Sequence, residues 1–217
     1  LAVKVNPYDK HYRTWTWQEY YNDVVLFAKA AIATGLEPFF GVGIIGHSSP
    51  EWIIANIGAI FASGIATGIY TTNASDSACY IVQHCRAQII VCEDSDQVEK
   101  FCSVPEQICN VKQIIQWKGD ILPQHKHITI KWGDFLSRGN SINDDFLEQR
   151  IRNQRPGHCC NLVYTSGTTG HPKGVMLSHD NLMWTAQNAL QGSDITHNDR
   201  SVSYLPLSHI AAEVLDI

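Results

Sequence analysis

The chain has 217 residues and a formal net charge of −5, with 44% hydrophobic and 17% charged residues. This composition is ordinary for a folded globular protein and differs from that of a disordered chain, which has few apolar and many charged residues. Lysine and arginine form no cluster, which argues against a nucleic-acid partner because affinity for a phosphate backbone needs concentrated positive charge.

The first predicted helix opens with a capping box. Thr16 takes the N-cap position, and Glu19 is placed to return a hydrogen bond to the Thr16 amide. Apolar residues then recur at helical spacing until Gly35, where the helix is predicted to stop. A short apolar strand is predicted at residues 39–45. A second helix is predicted to begin at Pro50, because proline suits the first position of a helix.

Helices and apolar strands continue to alternate along the chain. After a break at Gly64, the sequence predicts a strand at residues 65–70 and a helix capped by Ser75 that runs to about Arg86. Residues 137–158 are polar, and we predict a connecting segment there. Further strands are predicted at residues 88–92, 111–117, 127–131, 162–165 and 201–205, with a helix at residues 179–190.

This alternation predicts an α/β fold with a layered, largely parallel sheet flanked by helices. We predict an N-terminal α/β subdomain over residues 1–155, and over residues 156–217 a segment carrying a phosphate loop and the start of a second subdomain. The chain begins with leucine and stops inside a predicted helix. We therefore expect a fragment of a longer protein.

Residues 41–46 read Gly-Val-Gly-Ile-Ile-Gly and fit the dinucleotide-binding pattern Gly-x-Gly-x-x-Gly. A Rossmann site also needs an acidic residue about 20 positions further on to bind the ribose. No aspartate or glutamate lies between Glu51 and Asp76. We therefore interpret these glycines as positions where a buried strand packs closely against its neighbours.

Residues 52–75 carry no formal charge, which leaves a membrane-spanning segment as an alternative interpretation. Asn56, Ser63 and Thr67 lie inside this stretch, and Gly64 separates a helical from a strand-like part. Burial against a sheet explains the same composition, and we expect no transmembrane span.

The histidines and cysteines are dispersed. None of the ten histidines belongs to a His-Glu-x-x-His motif or a paired Cys/His pattern, so no metal site is predicted. The seven cysteines include no Cys-x-x-Cys pair, and several lie among apolar neighbours, as expected for free thiols. This usage favours a reducing compartment. We expect a cytoplasmic protein and leave peripheral contact with an intracellular membrane open.

The most informative stretch is Tyr-Thr-Ser-Gly-Thr-Thr-Gly-His-Pro-Lys-Gly-Val at residues 164–175. It concentrates hydroxyl groups, glycine amides and one ammonium group, all of which suit the oxygens of a polyphosphate. It is not a Walker A loop, which needs four residues between its glycines and then Lys-Ser/Thr. A solvated surface loop is the alternative, but the apolar runs on both sides favour phosphate binding. The candidate phosphate-binding residues are Thr165, Ser166, Gly167, Thr168, Thr169, Gly170, His171, Pro172 and Lys173.

This stretch resembles the signature of the adenylate-forming superfamily, which includes acyl-CoA synthetases, luciferases and peptide-synthetase adenylation domains. A second similar block is Tyr-Leu-Pro-Leu-Ser-His at residues 204–209, where such enzymes carry a Pro-x-x-His element. Residues 52–75 are similar to the N-terminal subdomain of the same family. The sequence Ser-His-Ile-Ala-Ala at residues 208–212 is most similar to that of bubblegum-type long-chain acyl-CoA synthetases.

The resemblance implies a two-step ligation. A fatty acid carboxylate attacks the α-phosphate of ATP carried with Mg²⁺, which gives acyl-adenylate and pyrophosphate, and the thiol of coenzyme A then displaces AMP. The loop at residues 165–173 would surround the leaving phosphates, with Lys173 as a catalytic residue. His209 would be the second catalytic residue, near the carboxylate and the α-phosphate, where it would orient or neutralise their junction. The magnesium and ribose ligands and a mobile C-terminal lid domain would lie beyond residue 217.

Two alternatives stay open at this point. His209 could be a histidine at a helix N-terminus without a ligand. The chain could also bind nucleotide or a partner without catalysis, and we expect the isolated chain to be inactive. The expected partners are ATP, a long-chain fatty acid and coenzyme A.

Overall fold

The computed structural model describes residues 1–4, 11–165, 171–194, 196, 199–209 and 212. Short 3-10 helices lie at Pro105–Ile108, Pro123–His125 and Gly139–Ser141. The strands are β1 (Ala2–Val3), β2 (Arg13–Thr14), β3 (Gly41–Ile45), β4 (Ile65–Ile69), β5 (Ala87–Cys92), β6 (Gln113–Gln116), β7 (Thr129–Lys131), β8 (Cys159–Thr165) and β9 (Lys173–Ser178). The α-helices are α1 (Trp17–Ala33), α2 (Pro50–Phe61), α3 (Ser75–His84), α4 (Ser95–Cys102), α5 (Trp132–Arg138), α6 (Asp144–Arg152) and α7 (His179–Gln191).

Seven of the strands form one sheet in the order β7-β6-β5-β3-β4-β8-β9. All neighbours from β7 to β8 are parallel, and β9 pairs antiparallel with β8. The largely parallel α/β sheet predicted from the sequence is confirmed. Strands β8 and β9 extend the same sheet as the earlier strands, and the division at residues 155 and 156 stays a prediction.

The capping signals read from the sequence form as expected. The Thr16 hydroxyl accepts a hydrogen bond from the Glu19 amide at 3.2 Å, and the Glu19 carboxylate accepts one from the Thr16 amide at 2.7 Å. Pro50 is the first residue of α2, and the Ser49 hydroxyl accepts from the Trp52 amide at 3.2 Å. These caps satisfy backbone donors that a helix start leaves unpaired.

A hydrophobic core lies on each face of the sheet. Helices α1, α2 and α5 cover one face and bury Phe27 and Trp52. Helices α3 and α4 cover the other and bury Phe101. Alternate residues of β3 enter the two cores, as the period-2 geometry of a strand requires. Burial on both faces explains the uncharged stretch at residues 52–75, and no helix in the described residues is long and apolar enough to cross a membrane.

The glycines at residues 41–46 are confirmed as close-packing positions. Gly41 starts the buried strand β3, and a Cβ atom there would lie 2.7 Å from the carbonyl oxygen of Cys85. A Cβ on Gly46 would lie 2.3 Å from the ring of Trp117. The pattern therefore serves strand packing in this chain.

Residues 137–158 were predicted as a connecting segment, and this prediction is wrong. The region contains the end of α5 and the whole of α6, which Asn143 caps through its side chain. Leu147 is buried, and the Arg150 guanidinium donates to the carbonyl oxygens of Leu36 and Ala62 at 3.1 and 3.0 Å. The helix is therefore held mainly by contacts with residues that are distant in the sequence.

Two smaller predictions also fail, and one helix was missed. No strand forms at residues 201–205, where Val202 and Tyr204 are 80% and 78% exposed, so no burial favours pairing with the sheet. Helix α4 was not predicted, although Asp94 accepts a hydrogen bond from the Gln97 amide as its N-cap. Ser75 is the first residue of α3 and not its cap.

Candidate functional site

Strands β8 and β9 form an antiparallel hairpin around the predicted phosphate loop. Thr165 is directly opposite Lys173, and Tyr164 is opposite Gly174. Directly opposed residues in such a ladder have side chains on the same face of the sheet. The structure therefore brings Thr165 and Lys173 together, with residues 166–172 as the connection between them.

The middle of the predicted loop lies outside the described residues. Thr165, His171 and Lys173 are exposed, and Pro172 is half-buried. The roles of the loop residues therefore stay predictions, although the positions of both ends are known. The residues of the loop that the structure does not describe are Ser166, Gly167, Thr168, Thr169 and Gly170.

The loop begins at the carboxyl edge of the parallel sheet. Gly68 of β4 pairs with Val163 of β8, so the two strands end side by side near Tyr70 and Thr165. Strand β3 is parallel to β4 and ends at the same edge. Ligands of open α/β sheets bind outside the carboxyl ends of the strands. The predicted phosphate loop is thus at the edge where a ligand is expected.

The segment at residues 204–209 docks on this same edge. The Ser48 hydroxyl, after β3, donates to the Leu205 carbonyl oxygen at 2.9 Å. Ser208 is buried so closely against β4 that a Cβ on Gly68 would lie 2.7 Å from the Ser208 Cα. The segment is therefore fixed to the ends of β3 and β4.

His209 comes directly after the buried residues Leu207 and Ser208 and is itself exposed. Its amide donates to the Pro206 carbonyl oxygen at 2.9 Å, and its own carbonyl accepts from the Ala212 amide at 2.9 Å. Leu207 and Ala212, on either side, are buried in the core. The backbone of His209 is thus held in a turn at the carboxyl edge, and the catalytic role of its side chain stays a prediction.

A cavity of about 170 Å³ lies between these elements. Serine, threonine and tyrosine hydroxyls supply most of its polar lining, which suits a carboxylate or phosphate oxygen. The cavity is lined by Gly46, His47, Ser48, Tyr70, Thr71, Thr72, Tyr204, Pro206 and Ser208.

A larger groove of about 500 Å³ lies beside the end of α2 and the start of α7, away from this edge. Strand β4 begins shortly after α2 ends, so the groove is near the amino ends of the strands. None of the predicted site residues lines it, and we do not assign it to the site. Its lining is Ile60, Phe61, Ile151, Gln154, Arg155, Pro156, His179, Asp180 and Met183.

A buried carboxylate that the sequence analysis missed fixes the turn after β3. Glu93 follows β5 and is 7% exposed. Its oxygens lie 2.9 Å from the His47 amide, 2.8 Å from His47 Nδ1 and 2.8 Å from Lys118 Nζ. Burial alone raises the pKa of Glu93, but the hydrogen bonds from Lys118 and His47 outweigh burial and lower the pKa to about 2. The signal that could have found this cluster is the position of Glu93 and His47 just after two buried strands.

Glu93→Gln is expected to lower the free energy of unfolding of the full-length protein at pH 7 by about 1–3 kcal/mol, because it weakens three hydrogen bonds to a buried charge. The folded-state pKa of Glu93 lies below its ordinary value of 4.5. The stabilisation is therefore present above about pH 4.5 and is lost as the pH falls towards about 2.

Urea unfolding of wild type and variant between about pH 3 and pH 7 measures this effect. The difference in unfolding free energy should be largest at pH 7 and shrink by about half or more at pH 3. Glu148→Gln, on the exposed side of α6, is the matched control and should cost less than about 0.5 kcal/mol. A difference that stays constant across this pH range would contradict the assignment.

No group of three or more His, Cys, Asp or Glu residues in the described part of the chain is arranged to hold a metal ion. The seven cysteines all lie in the described part of the chain, and none forms a disulfide. Burial raises the pKa of Cys79 and of Cys85 to about 11, so these thiols are neutral and unreactive near pH 7. Packing therefore accounts for these buried cysteines.

Two features meet at the carboxyl edge of the sheet. One is the end of the β8–β9 hairpin, where Thr165 lies opposite Lys173, and the other is the docked segment that carries the Pro-x-x-His element. A family model described as "AMP-binding enzyme" matches residues 2–217. The chain belongs to the AMP-binding enzyme family. The predicted membership of the adenylate-forming superfamily is thereby confirmed.

Curated relatives are bubblegum-type ligases, as the sequence at residues 208–212 predicted. The chain is 46% identical over 208 residues to the long-chain-fatty-acid–CoA ligase ACSBG2 of Xenopus laevis, covering 93% of this chain and 28% of that protein. It is 43% identical to human ACSBG2, covering 96% and 31% of the two chains. It is 40% identical to human ACSBG1, covering 93% and 28%. The chain thus spans about a third or less of these relatives.

Solved structures share the fold at low sequence identity. A putative long-chain-fatty-acid CoA ligase from Rhodopseudomonas palustris superposes with a TM-score of 0.76 at 15% identity, covering 93% of this chain and 47% of that one. The anthranilate CoA ligase AuaEII in complex with anthranoyl-AMP gives a TM-score of 0.71 at 22% identity, covering 81% and 32%. These likenesses establish the architecture of an adenylate-forming ligase domain.

Proposed function

We propose that the protein activates a long-chain fatty acid with ATP and transfers the acyl group to coenzyme A. The observation that carries the proposal is the hairpin that sets Thr165 opposite Lys173 at the carboxyl end of β8. The segment at residues 204–209 docks on the same edge. The ligase names of the bubblegum-type relatives support this choice of reaction.

In the first step, a carboxylate oxygen of the fatty acid attacks the α-phosphorus of ATP. The bond from the α-phosphorus to the bridging oxygen breaks, and pyrophosphate leaves with the negative charge. The Lys173 ammonium and the Thr165 hydroxyl, on one face of the hairpin, hold the leaving phosphates together with the amides and hydroxyls of residues 166–170. Donors fixed in advance where charge develops lower the barrier.

His209 orients the junction between the carboxylate and the α-phosphate in this proposal. The cavity of about 170 Å³ is smaller than the roughly 300–1,000 Å³ typical of ligand pockets, so it receives the carboxylate end of the acid and not the whole chain. In the second step, the thiol of coenzyme A attacks the acyl carbonyl carbon, and AMP leaves.

Mg²⁺ enters this proposal only as the ion that accompanies ATP. Because the described residues contain no cluster suited to a metal, we assign no magnesium ligand and derive no step through the ion. A cytoplasmic location also belongs to the proposal, since free and buried thiols suit a reducing compartment.

Fatty-acid-dependent release of pyrophosphate from ATP by the full-length protein tests the proposed function. We expect release only when ATP, Mg²⁺ and a long-chain fatty acid are all present, followed by formation of acyl-CoA when coenzyme A is added. Binding of ATP without any fatty-acid-dependent release would reject the ligase and favour a nucleotide-binding protein. The isolated 217-residue chain is expected to show no turnover.

A further inference from the structure

The residue before the predicted phosphate loop is tied to helix α3. Tyr164 is only 3% exposed, and its hydroxyl lies 2.7 Å from Nδ1 of His84, the last residue of α3. Burial raises the pKa of Tyr164 well above its ordinary value, so the phenol stays neutral in this hydrogen bond. The hydrogen bond ties the end of β8 to the end of α3.

His171 is the next residue that the structure describes after Thr165, and it contacts the same helix. The ring of His171 stacks on the ring of Tyr80 with centroids 4.3 Å apart and planes 16° apart. Tyr80 also stacks on His84, with centroids 5.5 Å apart and an angle of 20°. Tyr80 and His84 are four residues apart in α3 and so share one face of the helix. That face holds Tyr164 and His171, on the two sides of the loop.

Gly174 lets the buried tyrosine ring lie across the hairpin. It is paired with Tyr164 in the ladder, and a Cβ at Gly174 would lie 3.1 Å from Tyr164 Cζ. Such a contact is tighter than nine in ten real Cβ contacts, so the ring would have to shift. The hairpin and the ring contacts on α3 therefore form one connected unit.

We propose that Tyr80, His84, Tyr164 and His171 are positioning residues that hold the two ends of the loop on α3, which lowers the cost of ordering the loop around the phosphates of ATP. We call this set the ring anchor. The inference rests on the proposed function, because it assigns the anchored loop to the phosphates of ATP. Tyr80, His84 and Tyr164 have this role without touching the nucleotide, and His171 has it in addition to its place in the predicted phosphate loop.

The ring anchor should act on the affinity for ATP more than on the chemical step. When only part of a population has the binding-competent form, the apparent dissociation constant rises in inverse proportion to that part. An aromatic pair shifts such an equilibrium by a factor of roughly two to ten. Loss of one stacking partner should therefore raise KM for ATP by roughly that factor.

The test compares variants of the full-length protein. Tyr80→Leu and His171→Leu each remove the stack, and Tyr80→Phe keeps a flat ring in place. Tyr12→Leu, at a tyrosine that is 57% exposed and outside the seven-stranded sheet, is the matched control. Each variant is assayed for KM and kcat with ATP, and for the rate of trypsin cleavage after Lys173 relative to cleavage after Lys118.

Both leucine variants are expected to raise KM for ATP roughly two- to tenfold, with a smaller change in kcat, and to speed cleavage after Lys173. Tyr80→Phe should restore wild-type values. The double variant Tyr80→Leu/His171→Leu should be no worse than Tyr80→Leu alone, because the contact that His171→Leu removes is already lost when Tyr80 is replaced. A further loss on adding His171→Leu to Tyr80→Leu, or unchanged KM and cleavage in both single variants, would overturn the ring anchor.

The two proposals can fail separately. If Lys173→Ala leaves KM for ATP and pyrophosphate release at wild-type values, the proposed function of the loop is wrong. The cleavage rates and their double-variant comparison still decide the ring anchor in that case, since they need no nucleotide. His171 is exposed, so His171→Leu gives a result even if Tyr80→Leu fails to fold.

Discussion

Lys173→Ala in the full-length protein is expected to slow fatty-acid-dependent pyrophosphate release by about 100- to 1,000-fold, the range found when one preorganised donor to a developing charge is removed. The Lys173 side chain is exposed at the start of β9, so its truncation deletes little packing. The melting temperature should therefore stay within about 2 °C of wild type. A steady-state assay of pyrophosphate release measures the rate, and thermal unfolding measures the melting temperature.

Two further variants separate charge from general surface effects. Lys126→Ala removes an exposed ammonium outside the candidate site and should leave the rate unchanged. Lys173→Arg keeps the positive charge but replaces a point charge with a planar fork, so an intermediate rate is expected. If Lys173→Ala turns over like wild type, Lys173 has no part in the reaction.

Gly68→Ala is expected to lower activity about 5- to 150-fold, through a strain of about 1–3 kcal/mol at the docked segment. The new methyl group would lie 2.7 Å from the Cα of Ser208, and a backbone atom cannot rotate away as a side chain can. Either β4 or the segment at residues 204–209 must shift. Because His209 is the last residue of this segment and follows Ser208 directly, its proposed alignment with the fatty acid carboxylate should be disturbed.

Kinetics with varied fatty acid and varied ATP check this prediction. The loss in kcat/KM should be larger for the fatty acid than for ATP, because the 2.7 Å contact is with Ser208 of the docked segment, whereas Gly68 meets β8 only through the backbone ladder. Gly157→Ala is the matched control, since no heavy atom lies within 4 Å of a Cβ at Gly157. Equal activity of the Gly68 and Gly157 variants would show that the docking of residues 204–209 is not needed.

Sequence patterns were sufficient for elements whose signals are local. The capping box at Thr16, the proline at the start of α2 and the short apolar runs predicted α1, α2 and the strands β3 to β5 with small errors at their ends. Such signals depend on neighbours within a few residues. The loop motif at residues 164–175 was visible for the same reason.

Elements held by distant contacts were missed. Helix α6 buries only Leu147, and its Arg150 binds carbonyl oxygens of Leu36 and Ala62, which no local pattern reveals. The cluster of Glu93, His47 and Lys118 also depends on the strand order, because β5 lies beside β3 although β4 comes between them in the chain. This cluster can therefore be recognised only once the order of the strands in the sheet is known.

The pairing of Thr165 with Lys173 also bears on the speed of nucleotide capture. Bringing the two ends of a flexible connection together carries an entropy cost that depends on its length. Here the ladder meets that cost when the polypeptide folds. In the proposed function, capture of a triphosphate therefore does not have to wait for Thr165 and Lys173 to come together.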